Sequence, residues 1–248
     1  MSTNSSSPPA HTDARTFSRL LAATCLVLGP ACLLASSAVD PAWSDDTEEY
    51  LAEVAAGAER YQLAGFLTLV GAVLTAVGLV GVIHLLRGPR ITLAQVGAGM
   101  ALVGAVFMAG VFPINVIDAV GVRTLDAAAM VDVTEAVEDS GWAIVFFIGF
   151  LVFLMLGLVL LAIGLFLQRG AAPIWVPVVL LVAVVGTFFA WTQLLSVVTA
   201  ALLVVAMAGL AASIISVSDE DWARWTVLPD QGRRPRETGA RGSAHLSA

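Results

Sequence analysis

The sequence contains no lysine and only two cysteines, and charged residues make up just 12% of its 248 positions. Soluble domains carry about 25% charged residues. The shortage of charge, with 58% hydrophobic residues and a mean hydropathy of +0.90, excludes an ordinary soluble globular protein. All 12 basic residues are arginine, a bias of composition with no mechanistic meaning. The cysteines, Cys25 and Cys32, stand seven positions apart in one apolar run. On a helix that separation is about 10 Å of rise, too far for a disulfide. With no histidine or carboxylate beside them they make no metal site either, and they read as small packing residues.

What the chain has instead is apolar length. Six segments are expected to form transmembrane helices, at about Leu20–Val39, Gln62–Leu86, Ile91–Phe112, Trp142–Leu167, Ile174–Trp191 and Leu195–Val217. At 1.5 Å per residue each is expected to cross a hydrocarbon core of roughly 30 Å. Backbone in lipid must satisfy its own hydrogen bonds, so helices are expected and strands are not. The fold class is therefore all-α, a polytopic six-helix membrane bundle. Residues 1–16 read as a disordered cytoplasmic tail, 17–217 as the transmembrane domain, and 218–248 as an interfacial segment with a disordered basic cytoplasmic tail. Arg15 and Arg19, the apolar run and the "SSA" at Ser36–Ala38 also fit a secretory signal. A run of about 20 residues exceeds the 7–15 of a signal core, which favours a retained helix.

Arginine placement sets the orientation, because short cytoplasmic loops are enriched in it. Ten of the arginines fall on the side of both termini and two, Arg60 and Arg123, on the other, while 13 of the 19 acids fall on that other side. Both termini are expected in the cytoplasm of a plasma (inner) membrane. The six tryptophans all fall near expected helix ends, at the level where indoles meet headgroups.

The outer side carries two acidic inserts. In "SDDTEEYLAEVAAGAER", Ser44–Arg60, Asp45 with Glu48 fits a capping box. Leu51, Val54 and Ala58 share one helical face there. In Thr124–Ser140, Leu125, Ala129, Val133 and Val137 recur with a similar period. Both inserts read as short amphipathic helices capping the bundle. Their acidity does not suit anionic headgroups, and their spacing is not that of a calcium loop.

The six spans contain no Asp, Glu, Lys or Arg, the usual marks of proton relays and ion paths. His84 is the only histidine there, and it sits close to the cytoplasmic end, where it reads as a headgroup-level residue. No nucleophile triad, zinc-protease or phosphate-loop motif occurs, so no enzyme, no cofactor, no metal and no nucleic-acid partner is expected. The small-residue stripes Gly71, Thr75, Gly78, Val82 and Gly97, Ala101, Gly104, Met108 read as surfaces of close helix approach. The best candidate site lies in "MAGVFPINVIDAVGVR". Pro113 should kink or stop the third helix near Phe112, leaving a segment folded back on the bundle. That segment would present Asn115 and Asp118 at the outer mouth, beside Gln193 from the fifth helix and with Arg123 as counter-charge.

The stretches "RLLAATCLVLGPACLL" and "YLAEVAAGAERYQLAGFLTLVGAVLTAVGLVGVIHLLR" resemble those of uncharacterised six-helix bacterial integral membrane proteins of a domain-of-unknown-function type, over about residues 15–217. The resemblance implies six helices and transfers no functional residue. The expected function is a non-enzymatic accessory or scaffold protein acting through helix contacts. Its partners would be the lipid bilayer and another membrane protein or a second copy. The alternative is a small permease or channel for a neutral or hydrophobic solute.

Overall fold

The computed structural model describes residues 14–87, 92–168, 170–190 and 192–223. Every regular element among them is helical. The helices are α1 (Ala14–Val39), α2 (Thr47–Ala56), α3 (Ala58–Leu85), α4 (Thr92–Ala109), α5 (Val111–Thr124), α6 (Ala127–Glu138), α7 (Gly141–Phe150), α8 (Gly157–Leu167), α9 (Trp175–Thr187), α10 (Gln193–Ser216) and α11 (Asp219–Ala223). A π-helical segment, Leu151–Leu156, joins α7 to α8. Helix α1 starts inside the expected tail, so residues 14–16 are helical. Most of the two tails, together with Arg90, Arg169, Trp191 and Trp225, lies outside the described residues.

Helix α1 packs against α3 and α10, α3 against α4, α4 against α8, α8 against α9, and α9 against α10. These contacts close a ring of six helices, with α3 also touching α10 across it. Five helical stretches are long and apolar enough to cross a membrane: Thr16–Val39, Ala58–Leu85, Thr92–Thr124, Gly141–Leu167 and Gln193–Ser216. The chain is thus an all-α, multi-pass membrane bundle. The fifth expected span is shorter than the sequence indicates, because α9 has only 13 residues. Its rise of about 20 Å falls short of a full hydrocarbon core. Its first residue, Trp175, meets Gly209 near the end of α10, and Gly186 meets Thr199 near the start of α10.

Glycine sets the packing distance at the seams. A β-carbon on Gly78 would lie 2.7 Å from the Leu26 backbone, and one on Gly71 would lie 2.9 Å from the Gly29 carbonyl oxygen. Between α4 and α8 the approach is mutual. Gly97 meets the Leu161 backbone nitrogen and Gly157 meets that of Ala101. Only a hydrogen side chain allows helix backbones this close, and dispersion at short range is what holds helices together in lipid. Leu79, Leu161, Leu180, Met207, Leu210 and Ile214 fill the interior, each fully buried. Leu28, Val73, Val80 and Val106 are exposed, as lipid-facing side chains of a membrane bundle are.

At the end of the bundle where the chain starts, Arg19 pairs with Asp219 at 3.2 Å and donates to the Val217 carbonyl. Arg87 donates to the carbonyls of Asp221 and Trp222, and His84 lies 2.5 Å from the Trp222 carbonyl oxygen. Helix α11 is thereby clamped under the bundle. Trp222, expected at headgroup level, is buried against the His84 ring at a centroid distance of 4.3 Å.

Candidate functional site

The opposite end carries α2, α5 and α6. The cap of α2 sits one residue later than the sequence pattern indicates: Asp46, not Asp45, accepts from the Glu49 N–H at 3.0 Å. The Glu49 carboxylate does not return to the cap backbone; it accepts from Ser44 Oγ at 2.8 Å, and Ser44 Oγ in turn accepts from the Asp46 N–H. Glu53 ties down the chain before α2 by accepting from the backbone N–H groups of Trp43 and Ser44 at 2.7 and 3.2 Å. Leu51, Val54 and Ala58 are buried, as the face of the insert requires. Helix α6 differs from expectation. Met130 is its buried residue, packed on Gly121, whereas Leu125, Val133 and Val137 are exposed. Flanking α6 only on one narrow line, the rest of the protein leaves most of the apolar stripe uncovered.

The break in the third span also moves. Helix α4 ends at Ala109 and α5 begins at Val111, so the interruption is at Gly110, ahead of Pro113. Pro113 occupies the first turn of α5, where a missing N–H costs nothing because no partner precedes it. The residues beyond are helical and packed along α3, not an irregular segment folded back.

This placement buries the two predicted polar residues. Asn115 is 6% exposed and Asp118 is 8% exposed. They lie one turn apart on the face of α5 that meets α3. A β-carbon on Gly65 would come within 2.8 Å of Asn115 Cβ, so glycine there admits the amide. One turn earlier on α3, Tyr61 Oη donates to Asp118 Oδ2 at 3.3 Å, and Tyr50 Oη of α2 does so at 3.2 Å. The two phenolic oxygens also lie within hydrogen-bond reach of one another, so their two protons are shared among three contacts, and the rings meet edge-to-face at 6.1 Å. Burial pushes the Tyr50 phenol well above its ordinary range, so it stays a neutral donor. A buried carboxylate is tolerable only with such partners. The Asn115 side-chain oxygen has no partner among the described residues.

Gln193 does not join this cluster. It is the first residue of α10, and its amide nitrogen donates to the Ala38 and Asp40 carbonyls at 3.2 Å and to that of Ser37 at 3.4 Å. It therefore closes the last turn of α1, whose final carbonyls lack helical partners. Arg123 makes no ion pair with Asp118 among the described residues; the tyrosines serve as its partners instead. Sequence reasoning missed Tyr50 and Tyr61. The available signal was that these are the only two tyrosines of the chain and share a helical face with Val54.

Beside this cluster, α2, α5 and α6 enclose a cleft of about 590 Å³. Its lining includes buried Leu51 and Met130 and half-buried Val122, which make an apolar floor, and exposed Ala55, Ala128, Glu48 and Asp132, the last two an acidic rim. Among the described residues no three His, Cys, Asp or Glu side chains converge as a metal site.

Beside the two tyrosines, burial pushes the Asp40 carboxyl above its ordinary value of 3.8; Glu53 adds to the rise while the Ala42 N–H and Arg60 oppose it. A carboxyl that binds its proton more tightly in the folded state costs stability as pH rises through the raised folded value. Asp40→Asn keeps an oxygen for the Ala42 N–H. It is expected to unfold at a higher temperature than the parent at pH 7, and at the same temperature below pH 3.8. Thermal scans showing equal midpoints at both pH values would contradict this assignment.

Helical ring, lipid-facing exterior and polar cap together define a multi-pass, all-α membrane protein. No protein-family model, curated protein or solved structure matches the chain.

Proposed function

We propose that the protein is a non-enzymatic accessory or scaffold component of a bacterial plasma membrane, acting through helix contacts and its acidic cap. It would cross six times, with α9 and its flanking residues completing the fifth crossing. Both termini would be cytoplasmic and α2 and α6 external. The observation that carries this reading is the set of glycine seams between neighbours of the ring, which bring α1 against α3 and α4 against α8 at backbone contact, around an interior filled by fully buried Leu79, Leu161, Leu180, Met207, Leu210 and Ile214. Such seams favour rigid packing over a path for solute. Ser36, within the small-residue sequence that resembles a cleavage site, is buried and donates to the Ala64 carbonyl at 2.8 Å, which supports retention of α1.

A permease for a neutral or hydrophobic solute is the second reading. It is favoured by Asn115 and Asp118, buried where α5 meets α3, since buried polar residues in an apolar segment are costly and mark functional sites. Crosslinking in native membranes followed by mass spectrometry separates the two. The scaffold reading predicts one reproducible partner and no solute flux from purified protein in liposomes. Flux of a neutral solute without any recurring partner would overturn it.

A further inference from the structure

The geometry points to the cleft between α2 and α6 as a docking site for a cationic amphipathic segment of a partner protein. This inference rests on the scaffold reading and gives its partner a chemistry. The cleft has an apolar floor in Leu51, Val122 and Met130 and a rim holding Glu48 and Asp132. Other carboxylates of the cap are already used: Asp46 and Asp126 cap helices, and Glu49 and Glu53 hold the loop before α2. Glu48 and Asp132 make no hydrogen bond or ion pair among the described residues, so both can accept a cation presented above the floor.

The acidic surface continues past the cleft on both walls. Asp45 and Asp46 lie before α2 and Glu49 upon it, while Glu135, Glu138 and Asp139 lie along and after α6, and all are exposed. With 10 and 12 residues, these helices run about 15–18 Å, longer than a drug-sized ligand needs. An extended or helical segment with alternating apolar and basic residues matches the apolar floor and its acidic rim of Glu48 and Asp132, while the charge of the surrounding surface would only speed and orient its approach. An anionic lipid surface would be repelled.

The test uses the full chain in nanodiscs and a synthetic 12-residue leucine/lysine amphipathic peptide as probe. Binding should weaken at least tenfold in Glu48→Gln/Asp132→Gln and in Ala55→Trp, which fills the cleft from an exposed position. It should change less than threefold in Glu135→Gln/Glu138→Gln, and a leucine/glutamate peptide should not bind. Equal weakening by both acid pairs would reduce the effect to general charge and overturn the proposal. So would tight binding of tetraphenylphosphonium in competition with the peptide, which would make the cleft a small-molecule site. In native-membrane crosslinking, a partner retained by Ala55→Trp sinks the cleft proposal alone, whereas no partner on the parent protein sinks the scaffold reading.

Discussion

Leucine at Gly104 is expected to cost on the order of 3 kcal/mol or more, lowering the unfolding midpoint in detergent by roughly 10 °C. A β-carbon there would lie 2.2 Å from the Leu154 nitrogen and 2.4 Å from its Cα. Both are backbone atoms, which no rotamer change removes. Helix α4 would have to move away from the π-helical segment, and the buried Met108 and Leu158 around that seam would lose contacts. Gly99 provides the internal comparison. It lies on the same helix, but a β-carbon added there meets nothing within 4 Å. Gly99→Leu carries the same gain in helix propensity and should be neutral or slightly stabilising. Similar losses at both positions would show that the seam does not set the packing.

The second large effect concerns the buried carboxylate. Removing both phenolic hydroxyls, as Tyr50→Phe/Tyr61→Phe, leaves Asp118 at 8% exposure without its two donors. Leaving a buried carboxyl group without any donor costs about 3 kcal/mol, whereas each single change leaves one donor and should cost about 1 kcal/mol. The pair should therefore be strongly non-additive. Adding Asp118→Leu to the double variant should restore most of the lost stability, because no polar group then remains unpaired. Additive single losses, or no rescue by leucine, would mean that the tyrosines do not support the carboxylate.

The legible part of the fold was what lipid imposes. Long apolar runs became helices, and the glycine stripes at Gly71, Gly78, Gly97 and Gly104 became seams, because helix period and side-chain size are local properties. The fifth span was overestimated since apolar residues continue past the end of α9 at Phe188, and composition does not mark where hydrogen bonding stops. The break before α5 was assigned to Pro113, but proline in a first turn extends a helix, and Gly110 ends α4 instead. At the cap, period identified the buried face of α2 correctly. It failed for α6, where the neighbours covering a face are distant in sequence and only Met130 finds one. Asn115 and Asp118 were visible as polar residues in an apolar run. Their partners were not, because Tyr61 and Asp118 meet across 57 residues of chain.

The central claim is a membrane bundle whose acidic cap, α2 and α6, lies on the opposite side from the end where α11 meets α1. Single cysteines at Glu49, Glu135 and Ser218, in a background with Cys25 and Cys32 replaced by alanine, test it with a membrane-impermeant maleimide on intact cells. The account predicts labelling at Glu49 and Glu135 and none at Ser218 until the membrane is permeabilised. Labelling at Ser218 with protection of both cap positions, or labelling of all three in intact cells, would contradict it.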